Sequence, residues 1–375
     1  MSALRQSAIT TYPRSDGLED ILRCPITGAE LEQLSIQDVC ELNSRASRGE
    51  LRHLDGTAVR TALDAAYATA DRSYAYAVCD GITMLLGNLA IALRFEAGQN
   101  SALRDEKKSV QDFYERVGWS RGEDDAFIDA HKYEDLREVA SDYVRRCRLR
   151  INDHINPGGR YLLDVASGPI QFPEYLTYSE TFDYRICVDL SVAALREARH
   201  KLGDLGIYIL GDVTNLPFKD GSIDSAISLH TIYHVPRDEQ EKAIRELHRV
   251  VKSGSQATVI YSWGRRSALM NLLLFPLVLF RAMRSLYQRF NRITGRENRS
   301  RLYAYMHPYD WFKSRDWGFE LETIAWRTIS HHCSMVYAHS WLGGRALLRL
   351  AFWFEDRFPS LAGRIGQYPL VIIRK

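Results

Sequence analysis

The stretch LLDVASG at residues 162–168 decides the fold, because an apolar run ends in an aspartate and then in a tight loop of small residues. Two related segments follow, ICVDLS at 186–191 and ILGDVT at 209–214. Each ends a strand-like run with an aspartate, and the three are Asp164, Asp189 and Asp212. Their spacing is close to one strand plus one helix, which predicts consecutive units of a parallel sheet.

The rest of the C-terminal half continues this alternation. Amphipathic helical stretches at 192–202 and 238–251 separate apolar, strand-like runs, and Ser191 is a natural cap for the first helix. The predicted strands lie at 161–165, 184–188, 207–210, 225–229, 257–261, 319–326 and 367–375. We therefore predict an α/β fold with a Rossmann-like, seven-stranded sheet and helices on both faces.

Composition limits the function classes. With 375 residues, 46% of them hydrophobic and 26% charged, the chain can form a large core, which excludes a disordered, fibrous or disulfide-stapled protein. The 49 basic and 47 acidic residues give a net charge of +2, too near neutral for a general nucleic-acid binder. Nucleic acid is therefore not an expected partner.

Cysteine spacing and hydropathy indicate a reducing compartment. No two of the six cysteines form C-x-x-C, and residues 1–17 lack the apolar core of a signal peptide. The longest apolar run, at 269–280, is shorter than the roughly 20 residues that span a bilayer. These features predict a cytoplasmic protein.

The three aspartates suggest a ligand. Carboxyl ends of parallel strands meet at one rim of the sheet, where ligands bind in open α/β folds. There Asp189 can accept from two ribose hydroxyls, Asp212 can meet an adenine amine, and Asp164 can hold loop amides or an ammonium group. A nucleoside that carries an amino acid satisfies all three, and the loop lacks the G-x-G-x-x-G pyrophosphate motif. One such aspartate alone would be explained as a helix cap.

Residues 160–263 resemble class I methyltransferases that use S-adenosylmethionine (SAM), especially the small-molecule branch with the ubiquinone and menaquinone C-methyltransferases. The matching stretches are LLDVASG, ICVDLS, GDVTNLPFKDGSID at 211–224, SLHTIYHV at 228–235 and ELHRVVKSG at 246–254. The resemblance implies SAM as the cofactor and methyl transfer as the reaction. The cofactor residues it implies are Asp164, Ala166, Ser167, Gly168, Pro169, Asp189, Leu190, Gly211, Asp212, Val213, Ser228, Leu229 and His230.

The resemblance also assigns roles. The loop 166–169 would wrap the methionine part of the cofactor, and residues 228–230 would form the pocket floor. The family has glycine at three loop positions that hold Ala166, Gly168 and Ile170 here. We expect Ile170 to displace the loop or the following helix and to weaken cofactor binding.

The N-terminal segment has a resemblance of its own. CPITGAEL at 24–31, ELRHLDGT at 50–57 and YAVCDGITMLL at 76–86 are similar to the small zinc-ribbon-like domain that activates RNA and release-factor methyltransferases. Thr27 replaces the second cysteine of its C-P-x-C motif, so we expect a lobe without metal. An unrelated small α+β lobe is the alternative.

These patterns divide the chain into four parts. We expect a flexible arm at 1–18, the zinc-ribbon-like lobe at 19–94, a linker and helical region at 95–153, and the methyltransferase domain at 154–375. A helical cap at about 264–315 would be inserted after the fifth strand of that domain.

Residues after the fourth predicted strand are candidates for chemistry at the acceptor. His230, Tyr233 and His234 are candidate catalytic residues, although a base is needed only if the acceptor must lose a proton. Each could instead have a structural role.

Residues 265–301 hold nine arginines and one glutamate. This segment could cover an apolar acceptor as a lid, rest on anionic lipid through 266–301, or pack as a cap with a solvated basic edge. We therefore expect a small or lipid-linked acceptor, with peripheral contact at the inner membrane face as one option. The alternatives are a non-catalytic, methyltransferase-like binding subunit, which predicts a filled cleft, and an RNA methyltransferase.

Overall fold

The computed structural model describes residues 17–94, 105–113, 134–275, 279 and 303–375. In this part of the chain twelve strands form one mixed sheet. The strands are β1 (Leu31–Gln33), β2 (Ala65–Thr69), β3 (Tyr74–Cys79), β4 (Ile82–Met84), β5 (Ile91–Ala92), β6 (Gly159–Val165), β7 (Phe182–Asp189), β8 (Gly206–Leu210), β9 (Ser225–Leu229), β10 (Gln256–Ile260), β11 (Glu320–Arg327) and β12 (Tyr368–Arg374).

The C-terminal part of the sheet contains the predicted strands. Its order is β8-β7-β6-β9-β10-β12-β11, and the first five of these strands run parallel to one another. β12 runs antiparallel to both β10 and β11. The α/β prediction is therefore confirmed, and the carboxyl ends of β6, β7, β8 and β9 lie at one rim.

The N-terminal lobe is not a separate unit, because it extends this sheet. β3 and β4 form a hairpin around Asp80 and Gly81, both of which have left-handed φ. β4 then pairs in parallel with β8, so the order continues from the lobe into the central strands. The sheet predicted to have seven strands thus continues into the five strands of the lobe.

Ten α-helices cover the sheet in the described residues. They are α1 (Ile36–Ser47), α2 (Asp105–Phe113), α3 (Glu138–Leu149), α4 (Val192–Leu202), α5 (Gln240–Val250), α6 (Ala268–Leu273), α7 (Tyr309–Ser314), α8 (His331–Tyr337), α9 (Gly344–Arg357) and α10 (Pro359–Ile365). Ser191 caps α4 as predicted, because its side chain accepts from the Ala194 amide.

Both faces of the central sheet are buried. Along β7, Ile186 and Val188 pack into the core on one face, and Cys187 packs into the core on the other. Successive side chains of a strand point to opposite faces, so a strand covered on both sides needs apolar residues at every position. This explains why the predicted strands are continuous apolar runs.

The structure corrects one predicted boundary. Leu18 is only 3% exposed and belongs to the core, so the predicted flexible arm at 1–18 cannot extend to it, and residues 1–16 lie outside the described part. Within the predicted linker and helical region at 95–153, residues 105–113 form α2. Residues 276–278 and 280–302 of the predicted cap also lie outside the described part.

The Cys24 sulfur lies 3.1 Å from the Tyr76 hydroxyl inside the N-terminal lobe. Across the described ranges, no three histidine, cysteine, aspartate or glutamate side chains are grouped so that they could hold a metal ion. The metal-free state of the lobe stays a prediction.

None of the described helices combines the length and the apolar character that crossing a membrane requires.

Candidate functional site

A cavity of about 380 Å³ opens at the carboxyl ends of the parallel strands. A smaller recess of about 50 Å³ adjoins it and shares Ala166, Asp189 and Leu190 with it. Predicted cofactor residues line both spaces: Ala166, Ser167, Gly168, Pro169, Asp189, Leu190, Leu229 and His230 line the cavity, and Gly211, Asp212 and Val213 line the recess.

The loop after β6 has the backbone of a glycine-rich turn. Ala166, Gly168 and Ile170 have φ of 54°, 56° and 52°, all in the left-handed region. A residue other than glycine costs about 1–2 kcal/mol there, so the loop holds strain at Ala166 and Ile170. Ile170 is buried and its carbonyl accepts from Lys201 Nζ at 2.6 Å, which helps to fix this shape. A 3-10 turn at Pro173–Ser179, rather than an α-helix, follows.

Asp189 at the end of β7 faces the cavity. Its Oδ2 accepts from the Gly168 amide at 2.9 Å, and its Oδ1 accepts from the Ser191 amide at 2.9 Å. The carboxylate thus joins the β6 loop to the start of α4. Burial raises the pKa of Asp189 to about 6, although the two amides favour the charged form.

Asp212 lies after β8, under a helix that the sequence did not place at the site. Lys107 of α2 donates from Nζ to Asp212 Oδ2 at 2.6 Å and to Thr214 Oγ1 at 2.7 Å, and it lies 2.5 Å from Glu239. The side chain of Gln111 donates to the Leu190 carbonyl at 2.7 Å. α2 therefore covers the recess. The polar, charged sequence of residues 105–113 did not predict a helix at this position.

Two predicted cofactor residues do not line the cavity or the recess. Asp164 is fully buried, and its Oδ2 accepts from Arg185 Nε at 3.1 Å and Nη2 at 2.5 Å. It precedes the last residue of β6, so its side chain enters a face of the sheet instead of the rim. Burial raises the pKa of Asp164 against the opposing effect of Arg185. Ser228 is fully buried inside β9 for the same geometric reason.

The three candidate catalytic residues all line the cavity. His230 has φ of 60°, and its ring packs edge-on against Trp326 and Tyr368, at centroid distances of 4.8 and 5.3 Å. Burial, followed by the charge of Arg327, lowers the pKa of His230 to about 3. It is therefore neutral at physiological pH.

His234 has a defined tautomer. Its Nδ1 lies 2.7 Å from the Tyr303 carbonyl, and because a carbonyl oxygen only accepts, Nδ1 must carry the proton. Nε2 of the neutral ring is then a proton acceptor. Burial lowers the pKa of His234 to about 4, so the ring is neutral at pH 7. Tyr233 stands beside it, with its ring centroid 4.6 Å away.

A buried ion pair lines the cavity, and the sequence analysis missed it. Arg327 at the end of β11 donates from Nη1 and Nη2 to the two oxygens of Glu134, each at 2.9 Å. Arg148 also lies 3.4 Å from Glu134. Burial acts to raise the pKa of Glu134, but the two arginines lower it overall. The sequence signal that could have indicated this pair is Arg327, a charged residue at the end of an apolar strand.

Comparison with known proteins supports a methyltransferase domain. Residues 163–259 match the family model described as a methyltransferase domain. Demethylmenaquinone methyltransferase from Renibacterium salmoninarum is 32% identical over 133 residues, which are 35% of this chain and 54% of that protein. The enzyme of the same name from Paenarthrobacter aurescens is 30% identical over 132 residues, which are 35% of this chain and 50% of that protein.

The chain thus spans about half the length of these curated relatives. Among solved structures, magnesium protoporphyrin IX methyltransferase from Synechocystis with bound S-adenosylhomocysteine (SAH) is 16% identical, with a TM-score of 0.40. That alignment covers 72% of this chain and 100% of the other. The part of the chain that matches the methyltransferase domain, residues 163–259, contributes the loop, Asp189 and the histidines at the cavity.

Proposed function

We propose that the protein transfers a methyl group from SAM to a small, ring-containing acceptor, free or lipid-linked, which binds in the cavity. The observation that carries the proposal is the Asp189 carboxylate at the end of a central parallel strand, facing the cavity next to a loop with glycine-type backbone. When bound, SAM supplies a methyl group on a sulfonium, which is already activated for displacement.

The residues present fit this cofactor on its ribose side. Asp189 is an acceptor-only group when ionised, and carboxylates suit a pair of vicinal hydroxyls. On the adenine side, Asp212 and Val213 line the recess, whose small volume suits a flat ring edge more than a whole nucleoside. Lys107 already binds Asp212, so we propose that Lys107 and α2 shift when the adenine part enters.

The other end of the cavity suits an apolar ring. Phe172, Tyr175, Tyr233 and Tyr368 provide aromatic walls, and Met306 adds a flexible apolar side chain. Glu134 and Arg327 provide polar groups for a ring oxygen or hydroxyl. The names of the relatives, which act on demethylmenaquinone, support a quinol-type ring as the first class of acceptor to test.

The chain's contribution to the reaction is mainly positioning. A largely apolar cavity holds the acceptor in line with the methyl group, and such positioning accounts for much of the rate of these displacements. His234 is the proposed proton acceptor for acceptors that must lose a proton, because Nε2 of its neutral ring is unprotonated. His230 is proposed to shape the floor, since its ring is packed against Trp326 and Tyr368.

Isothermal titration with SAH tests the cofactor site. We expect wild-type protein to bind, and Asp189→Ala to lose about 100-fold in affinity, because two hydrogen bonds to a charged acceptor contribute about 1.5 kcal/mol each. Asp204→Ala removes an exposed carboxylate away from the cavity and is the matched control. Wild-type protein that gives no heat with SAH contradicts the proposal.

Transfer of a labelled methyl group from SAM to a naphthoquinol, followed by organic extraction, tests the reaction. His234→Gln should lower the rate by about 100-fold or more if the ring accepts the proton. Tight SAH binding without transfer to any quinol or phenol would instead favour the non-catalytic binding subunit.

A further inference from the structure

Exposed apolar side chains are concentrated on one part of the molecule. Of eighteen large apolar side chains exposed in the described ranges, thirteen lie within 272–279 and 335–361. Single exposed apolar residues are common on protein surfaces, whereas a group of this size marks an interaction surface. We call the described residues of these two ranges, 272–275, 279 and 335–361, the apolar surface.

Helix α9 shows how this surface is built. Its inner side buries Leu348 and Glu355, while Leu347, Leu350 and Trp353 are 44%, 59% and 56% exposed. Spacing of three residues puts these three on one side of the helix. α9 therefore has a second apolar face, opposite the one that packs on the core.

Two further segments extend this face. α6 and α8 are joined by a hydrogen bond from the Tyr337 hydroxyl to the Leu273 carbonyl at 2.6 Å. Next to this contact, Leu272 is 74% exposed and Phe275 is 61% exposed, and Trp341 just after α8 is 80% exposed. The apolar surface is thus assembled from three parts of the chain.

The charge of the apolar surface is positive. Residues 331–365 contain two acids, Glu355 and Asp356, and Arg150 binds both of them. Four exposed arginines lie in the same range, at 345, 349, 357 and 364, and Glu138 pairs with the first. Arginine beside exposed tryptophan is typical of segments that lie at the boundary between lipid headgroups and acyl chains.

We propose that the apolar surface docks the protein on an anionic lipid bilayer. Trp341, Leu350 and Trp353 enter the headgroup and acyl boundary, and the arginines meet lipid phosphates. This inference does not depend on the proposed function, since it rests on exposure and charge outside the cavity. Docking in this way would also bring lipid near the cavity. Gly264 and Arg327 line the cavity, and each lies four residues before a helix of the apolar surface, α6 and α8 respectively.

Vesicle flotation with the full chain tests the proposal. One vesicle type is phosphatidylcholine alone, and the other contains about 30% phosphatidylglycerol. We expect binding to the anionic vesicles that weakens with salt, and a loss of about tenfold or more in the variant Trp341→Ser/Leu350→Ser/Trp353→Ser. Ile36→Ser/Leu205→Ser removes two exposed apolar residues elsewhere and should bind as wild type does.

Tryptophan quenching by brominated lipids gives a second measurement. Trp341 and Trp353 are the exposed tryptophans of the described residues, so quenching should require these two and disappear in the triple variant. Vesicle binding that the triple variant retains overturns the proposal. The proposal is also overturned if wild-type protein does not bind anionic vesicles but forms a dimer that the triple variant does not form. The apolar surface would then bind a second copy of the chain. Titration of the triple variant with SAH shows whether its cofactor site is intact, and this distinguishes either result from a defect of the cofactor site.

Discussion

The proposed cofactor end and the proposed acceptor end of the cavity are built in different ways. The cofactor end comes from consecutive strand ends, with the loop 166–170, Asp189 and Asp212 lying within about one eighth of the chain. The acceptor end brings together Glu134 and Arg327, which are 193 residues apart in sequence. A repeated local pattern predicts the first end, and only long-range packing creates the second.

The difference also separates residues with similar sequence signals. Asp164 and Asp189 both follow apolar strands, yet Asp189 faces the cavity and Asp164 pairs with buried Arg185. In the strand register Asp164 pairs with Cys187, two residues before Asp189, so Asp164 lies deeper along the same face of the sheet and away from the rim. A motif therefore predicts which residues are near a site better than it predicts which of them touch a ligand.

The largest effect is expected at the acceptor end, on breaking its buried ion pair. Arg327→Met leaves the Glu134 carboxylate buried with only Arg148 nearby, and should lower the free energy of unfolding by about 3–5 kcal/mol. Urea unfolding measures the change.

The double variant Glu134→Gln/Arg327→Met provides the control. It removes both charges and should recover more than half of the loss, because the cost comes from an unpaired buried charge. A double variant as unstable as Arg327→Met alone would mean that packing of the guanidinium on Trp326 and Tyr368 matters more than its charge.

At the cofactor end, pH should control binding through Asp189. Its pKa is raised to about 6, so the carboxylate that accepts ribose hydroxyls is present above pH 6 and is lost as pH falls below it. Affinity for SAH should fall about tenfold between pH 7 and pH 5, as measured by titration at each pH.

The histidines should not contribute to this change, because the pKa values of His230 and His234 are lowered to about 3 and about 4. Asp189→Asn should bind weakly at every pH and show no such dependence. A midpoint near pH 4, the usual value for an aspartate, would contradict the prediction, because it would mean that burial does not raise the pKa of Asp189.

The smallest effect is expected from the strained loop. Ala166→Gly should raise the free energy of unfolding by about 0.5–1 kcal/mol, because glycine adopts a φ of 54° without steric cost. Thermal unfolding measures it. Ala194→Gly inside α4 is the matched control and should destabilise by about 1 kcal/mol. Equal effects of the two variants would mean that position 166 holds no strain.

Much of the fold followed from local patterns. The strands β6 to β10 were predicted within two residues at each end, because buried parallel strands are short apolar runs that helices separate. The pairing of β4 with β8 was not predicted, since edge pairing between distant segments leaves no periodic signal.

The position of α2 over the recess was not predicted, for a similar reason. Residues 105–113 are polar and rich in charge, which is typical of a linker, and their helix is held by contacts of Lys107 and Gln111 with distant residues. Lys107 and Gln111 are held at the site by Asp212 and Leu190, which lie 105 and 79 residues later in the chain.

By itself, the sequence determined the parallel sheet, the rim at its carboxyl ends and the acids and small residues near that rim, because strand and helix periods are local properties of a chain. The tertiary structure decided that Asp189 faces the cavity, that Asp164 is buried, and that Lys107, Glu134 and Arg327 join the site. Those outcomes depend on which distant side chains meet in the folded chain. A buried charge needs a partner because burying it alone costs free energy, but the sequence does not say which residue that partner is.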